Sequence, residues 1–354
     1  MRRRGNKRTR TVYTMMLVVV ACGVGWWFWP GGEETPVAPE RPDNSVPLIA
    51  ETAVFDPPQI SGEGVPDPPD EILTPRVAEA KPKPSAETKA EPPAPPIPAG
   101  PDKLSSNPRI NASLVRYKAG QRVAARTELN RMLEISRDSD ERAELRRHLR
   151  VIADEMIFSR KVFSDDPLFE TYQISTGDYL LNIGKQYKTP YEAIMLINGI
   201  SNPSRIQAGQ KIKTPHGPFH VRIHSSEFRL DVYLQDVYVR SFPVGLGGDQ
   251  GTPLGRWRVK NRLPNPTYYP PPSVDSRRII PPNDPTNPLG EHWIGMTGLD
   301  GDALDCVGYG IHGTIEPESI GKAVSLGCVR MHNADVEFLY KLTMPGASTV
   351  TTLP

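Results

Sequence analysis

Twenty of the chain's thirty-nine prolines fall between Pro30 and Pro108. Proline fixes φ and removes a backbone donor, so runs such as EPPAPPIPAGP can neither continue a helix nor sit inside a sheet. Too few large apolar residues are present there to build a core, and residues 30–108 read as a disordered linker, extended and partly polyproline II. At roughly 3.1 Å per residue such a chain would reach on the order of 200 Å. The same composition is compatible with a PxxP ligand for a recognition domain. The 354 residues otherwise leave room for two or three domains, and function has to be sought region by region.

Ahead of the linker, MRRRGNKRTR carries six basic side chains, and Val12 to Trp29 runs eighteen residues without a formal charge. That length crosses most of a bilayer's hydrocarbon. The pattern predicts a basic cytoplasmic segment over 1–11 and an N-terminal transmembrane helix, a signal anchor, over 12–29. Trp26, Trp27 and Trp29 would sit at the far interface. The chain would then be a single-pass protein of the inner (cytoplasmic) membrane, with everything beyond Gly31 periplasmic. Val19-Val20-Ala21-Cys22 leaves open a processed chain lipidated on Cys22.

A formal charge of +1, from 42 basic and 41 acidic side chains, gives no reason to expect nucleic acid as a partner. Cys22, Cys306 and Cys328 are the only cysteines, and no C-x-x-C or compact Cys/His cluster occurs. This speaks against a disulfide scaffold and against a structural zinc site.

Between 109 and 160, Leu129 and Leu133, then Leu145, Leu149, Ile152 and Met156, recur at three- and four-residue steps. Asp138-Ser139-Asp140 separates the two stripes and can cap the second. The reading is an α-helical hairpin, used as a spacer or as a protein-docking surface. Residues 172–215 then read as strand, helix, helix, strand. The Thr176-Gly177-Asp178 turn is followed by a helix placing Leu181, Ile183, Gly184 and Tyr187 in one packing region, and a helix over Tyr191 to Ile197 is stopped by Asn198-Gly199. Gly177-Asp178-x-Leu180, Ile183, Asn198-Gly199-Ile200, Ile206 and Gly209-Gln210 resemble the signature of a LysM domain, a small α/β module. The resemblance implies that the loops after the first strand and before the last contact glycan strands.

From Phe219 onward the hydrophobic period changes to two. Half-buried strands fit Phe219–His224 and Phe228–Val232, with Gln235-Asp236 as the turn into Val237–Val239. Further strands fit Gly255–Val259, His292–Met296, Gly310–His312 and Thr349–Leu353, giving a mainly β domain over 219–354. The proline-rich interval Leu263 to Leu289 lacks an element of its own and reads as a wall or lid over a groove.

Chemistry concentrates in YGIHGTIEPESIGKAVSLGCVRMHN. His312 lies sixteen residues ahead of Cys328. A cysteine nucleophile needs thiolate character, a base within hydrogen-bond reach and backbone N–H groups facing the attacked carbonyl oxygen. From spacing alone, a buried or inert thiol at Cys328 and a structural histidine at His312 are the more ordinary readings. Gly327 offers a backbone N–H for an oxyanion hole, and Arg330 would share the face of Cys328 in extended chain. Cys306 reads as a small buried side chain outside the chemistry, although a disulfide to Cys328 would be chemically allowed.

His312-Gly313-Thr314 and Ser325-x-Gly327-Cys328-Val329-Arg330-Met331 resemble the catalytic motif of the L,D-transpeptidase (YkuD) family. Gly251-Thr252-Pro253-Leu254-Gly255 and Trp293-Ile294-Gly295 resemble its upstream blocks. The resemblance implies a peptidoglycan L,D-transpeptidase with Cys328 as nucleophile and His312 as base. His312 would be oriented by the carbonyl of Gly313, with Ser325 and Gly327 supporting the site and Arg330, Thr314, Tyr309 and Trp293 binding substrate. It implies peptidoglycan stem peptides and glycan strands as partners, and no cofactor and no metal. Many relatives carry a histidine where this chain has Leu326. The alternative from another class is a non-catalytic wall-binding scaffold.

Overall fold

The computed structural model describes residues 105–248, 251–271, 274 and 276–354. The basic segment, the anchor over 12–29 and nearly all of the linker lie outside the described residues. Among the described residues, no helix is long and apolar enough to cross a membrane.

Where a two-helix hairpin is expected, the chain forms three helices: α1 (Pro108–Lys118), α2 (Arg122–Ile135) and α3 (Ser139–Met156). Asn107 caps α1 with Pro108 in its first turn, Gly120 takes a left-handed φ of 93° between α1 and α2, and Asp138 accepts from Glu141 N at 2.8 Å to cap α3. The apolar stripe of α1, Ile110, Leu114 and Tyr117, packs with Leu129, Leu133, Leu145 and Leu149 into one core. Tyr233 and Tyr238 of the β domain complete that core, so the helices are not a free-standing spacer.

The LysM region pairs β1 (Phe169–Gln173) antiparallel with β2 (Lys211–Pro215), with α4 (Leu180–Gln186) and α5 (Tyr191–Asn198) between them. The first strand begins at Phe169, ahead of Tyr172. Leu181 is not in the core: it is 53% exposed, and its neighbour Leu180 packs with Ile174, Ile183, Ile194 and Ile212. Leu180, Ile183 and Gly184 stand at i, i+3 and i+4 and share the buried face of α4, and Leu181, about 100° further round, points outward. Asn198 donates to the carbonyls of Ile194 and Lys213 and accepts from Lys213 N, each at 2.8 Å, so its amide ties α5 to β2. Gly199 closes α5 at φ 62°.

This region is bolted to both neighbours. Lys213 donates from Nζ to the carbonyls of Met156, Ile157 and Ser159 at the end of α3 and lies 4.1 Å over the Phe169 ring. Burial pushes its pKa down to about 8. On the other side Arg262 donates to Glu192 of α5 at 3.3 Å and to the carbonyl of Tyr340.

The β domain is one eight-stranded sheet in the order β11-β9-β8-β7-β12-β3-β4-β5. Its strands are β3 (Phe219–His224), β4 (Arg229–Leu234), β5 (Val237–Pro243), β7 (Gly255–Pro264), β8 (His292–Gly298), β9 (Gly310–His312), β11 (Val329–Arg330) and β12 (Thr349–Leu353). β12 runs parallel to β3, and β11 parallel to β9. A separate parallel pair joins β6 (Leu246–Gly247) to β10 (Ala323–Ser325). β7 runs to Pro264, beyond the expected end at Val259, because β8 continues to pair with it. A helix not foreseen, α6 (Asn333–Leu342), buries Val336, Leu339 and Leu342 against the sheet.

β5 is the outer strand at one side, and the helices cover it. Tyr238 N donates to Asn130 Oδ1 at 2.8 Å, and Arg240 pairs with Asp154 of α3. An uncovered edge strand is a template for unwanted pairing.

Candidate active site

β9 delivers His312 and β11 follows Cys328, with Val329 opposite Ile311 and Arg330 opposite His312. This parallel pairing brings the two residues into one cleft of about 660 Å³, also lined by Trp293, Ser325, Leu326 and Arg330. The opposite wall comes from the proline-rich interval, including Leu263, Tyr268, Pro271 and Leu289, as expected of that loop.

The imidazole of His312 is buried, with Nδ1 2.6 Å from the carbonyl oxygen of Gly313. With Nδ1–H donating to that carbonyl, Nε2 keeps its lone pair and can take a proton. Burial pushes the pKa down to about 4; the Gly313 carbonyl opposes this and the Arg330 charge reinforces it. Trp293 stacks on the ring, with centroids 5.9 Å apart and planes 20° from parallel. The indole also lies on Gly310, where a Cβ would sit 2.5 Å from its Cη2 and Cζ2 atoms. Trp293 therefore lines the cleft while holding the imidazole's face.

The Cys328 thiol is half-buried, with Sγ 3.8 Å from the Gly308 carbonyl. Burial pushes its pKa up, and the backbone N–H of Gly310 and the charge of Arg330 only partly offset this. At neutral pH and without substrate, Cys328 and His312 stand as a thiol and a neutral imidazole.

Gly327 N donates to Ser325 Oγ at 3.1 Å, so the expected role of this N–H in an oxyanion hole does not fit the geometry. Ser325 Oγ in turn donates to the Cys328 carbonyl at 2.6 Å, and Ser325 thus shapes the turn that presents the thiol. Gly327 has φ 129°, and a Cβ there would lie 2.7 Å from both the Gly251 carbonyl oxygen and the Tyr309 ring. Tyr309 and Thr314 are not among the residues lining the cleft. Tyr309 packs on Trp257 at 5.2 Å beneath the turn, and Thr314 is buried with Oγ1 accepting from Glu316 N at 2.9 Å.

Two supports were not assigned from sequence. Thr252 donates from Oγ1 to the Gly327 carbonyl at 2.8 Å and accepts from Gly247 N at 2.8 Å, giving the Gly251–Gly255 block a structural task. Asn333 brackets Thr314, accepting from its N–H and donating to its carbonyl, each at 3.1 Å. Asn333 is the last residue of the quoted motif, where its polarity ahead of an apolar helix was the available signal. Cys306 and Cys328 are both free thiols, and Cys306 Sγ points at the Asp302 carbonyl, 3.5 Å away.

Residues 218–351 match the L,D-transpeptidase catalytic domain family, YkuD, and residues 172–215 match the LysM domain family. A Bacillus licheniformis protein named as an L,D-transpeptidase, YkuD, is 30% identical over 190 residues, which cover 52% of this chain and 98% of that one. The Bacillus subtilis protein of the same name is 30% identical over 188 residues, 51% of this chain and 97% of its own. Bacillus subtilis YqjB, also named as an L,D-transpeptidase, is 35% identical over 137 residues, 38% of this chain and 72% of that one. Joined to a cleft that holds a cysteine, a histidine and an arginine, these matches make the chain a member of the L,D-transpeptidase family, an enzyme with a peptidoglycan-binding LysM domain ahead of its YkuD catalytic domain.

Proposed function

We propose that the enzyme acts on peptidoglycan stem peptides by two-step acyl transfer through a thioester on Cys328. The observation that carries this reading is the placement of Cys328 and His312 in one cleft, with the Nδ1 of His312 tied to Gly313 and Nε2 left as the base. The thiol proton passes to His312 Nε2 as Sγ attacks the carbonyl of the third stem residue, diaminopimelate by family resemblance. Collapse breaks the amide bond. The terminal D-alanine leaves as an amine, taking the proton from His312, and the acyl group stays on sulfur. An acceptor amine then attacks the thioester, loses its proton to His312 and expels the thiolate, which is reprotonated. A neighbouring stem as acceptor gives a 3-3 cross-link, and water as acceptor gives an L,D-carboxypeptidase reaction. Incubation with disaccharide tetrapeptide, followed by intact-mass measurement, is expected to show a tripeptide adduct on Cys328 that decays on adding an amine acceptor. Turnover with no adduct, even under rapid quench, would count against the thioester.

The basic segment 1–11 and the uncharged run Val12–Trp29 support a signal anchor that puts the catalytic and LysM domains on the periplasmic side of the inner membrane. Added protease is expected to digest the catalytic domain in spheroplasts and to spare it in inverted vesicles. The opposite pattern would refute this topology.

A further inference from the structure

A second cavity, of about 290 Å³, opens on the seam between the LysM and catalytic domains and shares no lining residue with the cleft of Cys328. Tyr191, Met195 and Leu196 of α5, with Ile200 and Pro203 of the loop that follows, form its apolar lining. Lys341 of α6 supplies the catalytic side. Positions 191, 192, 195 and 196 share one face of α5, while Ile194 and Ile197 turn into the buried cores. Tyr191, Met195 and Ile200 pack at the margin of the LysM core and Leu196 at the margin of the catalytic core. The cavity is therefore a product of the way the two domains are joined.

Among the described residues, the charged groups lining it are Glu192 and Lys341, and each is neutralised by a residue outside the lining. Arg262 Nη2 lies 3.3 and 3.5 Å from the two carboxylate oxygens of Glu192, and Lys341 Nζ donates to Glu337 Oε1 at 2.7 Å. The side chains of Glu192 and Lys341 remain 18% and 37% exposed. The two ion pairs cancel, so the cavity favours neither an anion nor a cation. It still offers carboxylate lone pairs and ammonium N–H groups to a neutral ligand rich in hydroxyls.

We propose that this seam cavity is a sugar subsite, made jointly by α5 and α6, that seats one N-acetylhexosamine of a glycan strand. A pyranose ring brings an apolar face for Tyr191 and Leu196, hydroxyls for Glu192 and Lys341, and an acetamido methyl for the soft apolar surface of Met195 and Ile200. The volume falls at the lower end of small-molecule sites, which run from roughly 300 to 1,000 Å³, and suits one ring better than two. Ile200 and Pro203 belong to the loop before the last LysM strand, where the LysM resemblance places glycan contact, so the cavity continues that surface. Among the described residues, none of the Thr176-Gly177-Asp178 turn lines it, and Lys341 lies outside the LysM domain altogether. A strand held by the LysM loops would thus run on to the catalytic domain. The proposal rests on the LysM assignment and is independent of the thioester.

The test uses the full-length enzyme, labelled with ¹³C in its methionine methyl groups. It is titrated with the β-1,4-linked tetramer of N-acetylglucosamine, with the corresponding glucose tetramer and with a free stem tetrapeptide. The Met195 methyl signal, assigned by its loss in Met195→Leu, is expected to move with the first probe and to stay in place with the other two. Lys341→Ala should weaken binding of the N-acetylglucosamine tetramer by about fivefold, the worth of one hydrogen bond. Absence of binding, binding that leaves Met195 unmoved, an equal shift from the glucose tetramer, a shift from the stem peptide alone, or an unchanged affinity in Lys341→Ala would each overturn the proposal. These readouts measure binding and involve no acyl transfer, so a failure of the thioester reading leaves them untouched.

Discussion

Cys328→Ala is expected to lower D-alanine release by at least about 10⁴-fold while leaving glycan binding intact, because a residue acting as nucleophile has no substitute in the cleft. Release at the wild-type rate would sink the assignment. The state of the free thiol adds a pH test. With His312 down at about 4 and the Cys328 thiol pushed up by burial, the thiolate–imidazolium form is disfavoured against the neutral pair. Alkylation of Cys328 by iodoacetamide should therefore climb about tenfold per pH unit from pH 6 to beyond pH 8.5, since each unit raises the free thiolate tenfold until the raised pKa is reached. A plateau between pH 5 and 7 would instead reveal a preformed ion pair. Starting from the neutral pair, reaction with substrate needs the cleft to be reorganised by the bound stem, which displaces water and offers new partners to the sulfur.

The largest expected stability effect lies far from the chemistry. Arg126 of α2 donates two hydrogen bonds to Asp166, at 2.7 and 2.8 Å, with the side chains 3% and 0% exposed. Asp166 sits in the connection between α3 and β1, where its Oδ1 also accepts from Leu168 N at 3.2 Å. Arg126→Ala leaves a buried carboxylate without its counterion, which costs about 3–5 kcal/mol. For a folded part of this size that corresponds to roughly a 10 °C fall in the midpoint of thermal unfolding. The double variant Arg126→Met, Asp166→Leu removes both charges and should recover most of the loss. A single variant as stable as wild type would show that water reaches the pair.

Much of this was legible because periodicity and motif order are local properties. Strands β3, β8, β9 and β12, the turn at Gln235-Asp236, the Gly199 helix stop and the facing of His312 with Cys328 all follow from residues close in sequence or from the family's motif blocks. The wall formed by Leu263–Leu289 was readable from length and proline content. Failures came where packing between distant segments decides. α1 carries a proper apolar stripe, yet it is only 11 residues long, and the third helix became visible through its contacts with Leu129 and Tyr238. Leu180 and Leu181 are chemically equal, and which of them is buried is decided by the helix face that Leu180 shares with Ile183 and Gly184. Trp293, expected to contact substrate, spends one face on His312, and Gly327 spends its N–H on Ser325, because side-chain partners are not written in spacing.

The fastening of the LysM domain has a consequence for selection. A binding module on a slack tether raises local concentration and leaves its target free to approach from any direction. Here Glu192 is held to Arg262 on the catalytic side, while Lys213 is held to the end of α3. Glycan reader and acyl-transfer cleft therefore turn as one body. On the proposed function, a strand held by the LysM domain would present its stems around the helical axis of the glycan, and only those leaving it at the azimuth of the cleft would meet Cys328. The enzyme would then address the wall by direction as well as by chemistry, working at a fixed offset along each strand it holds.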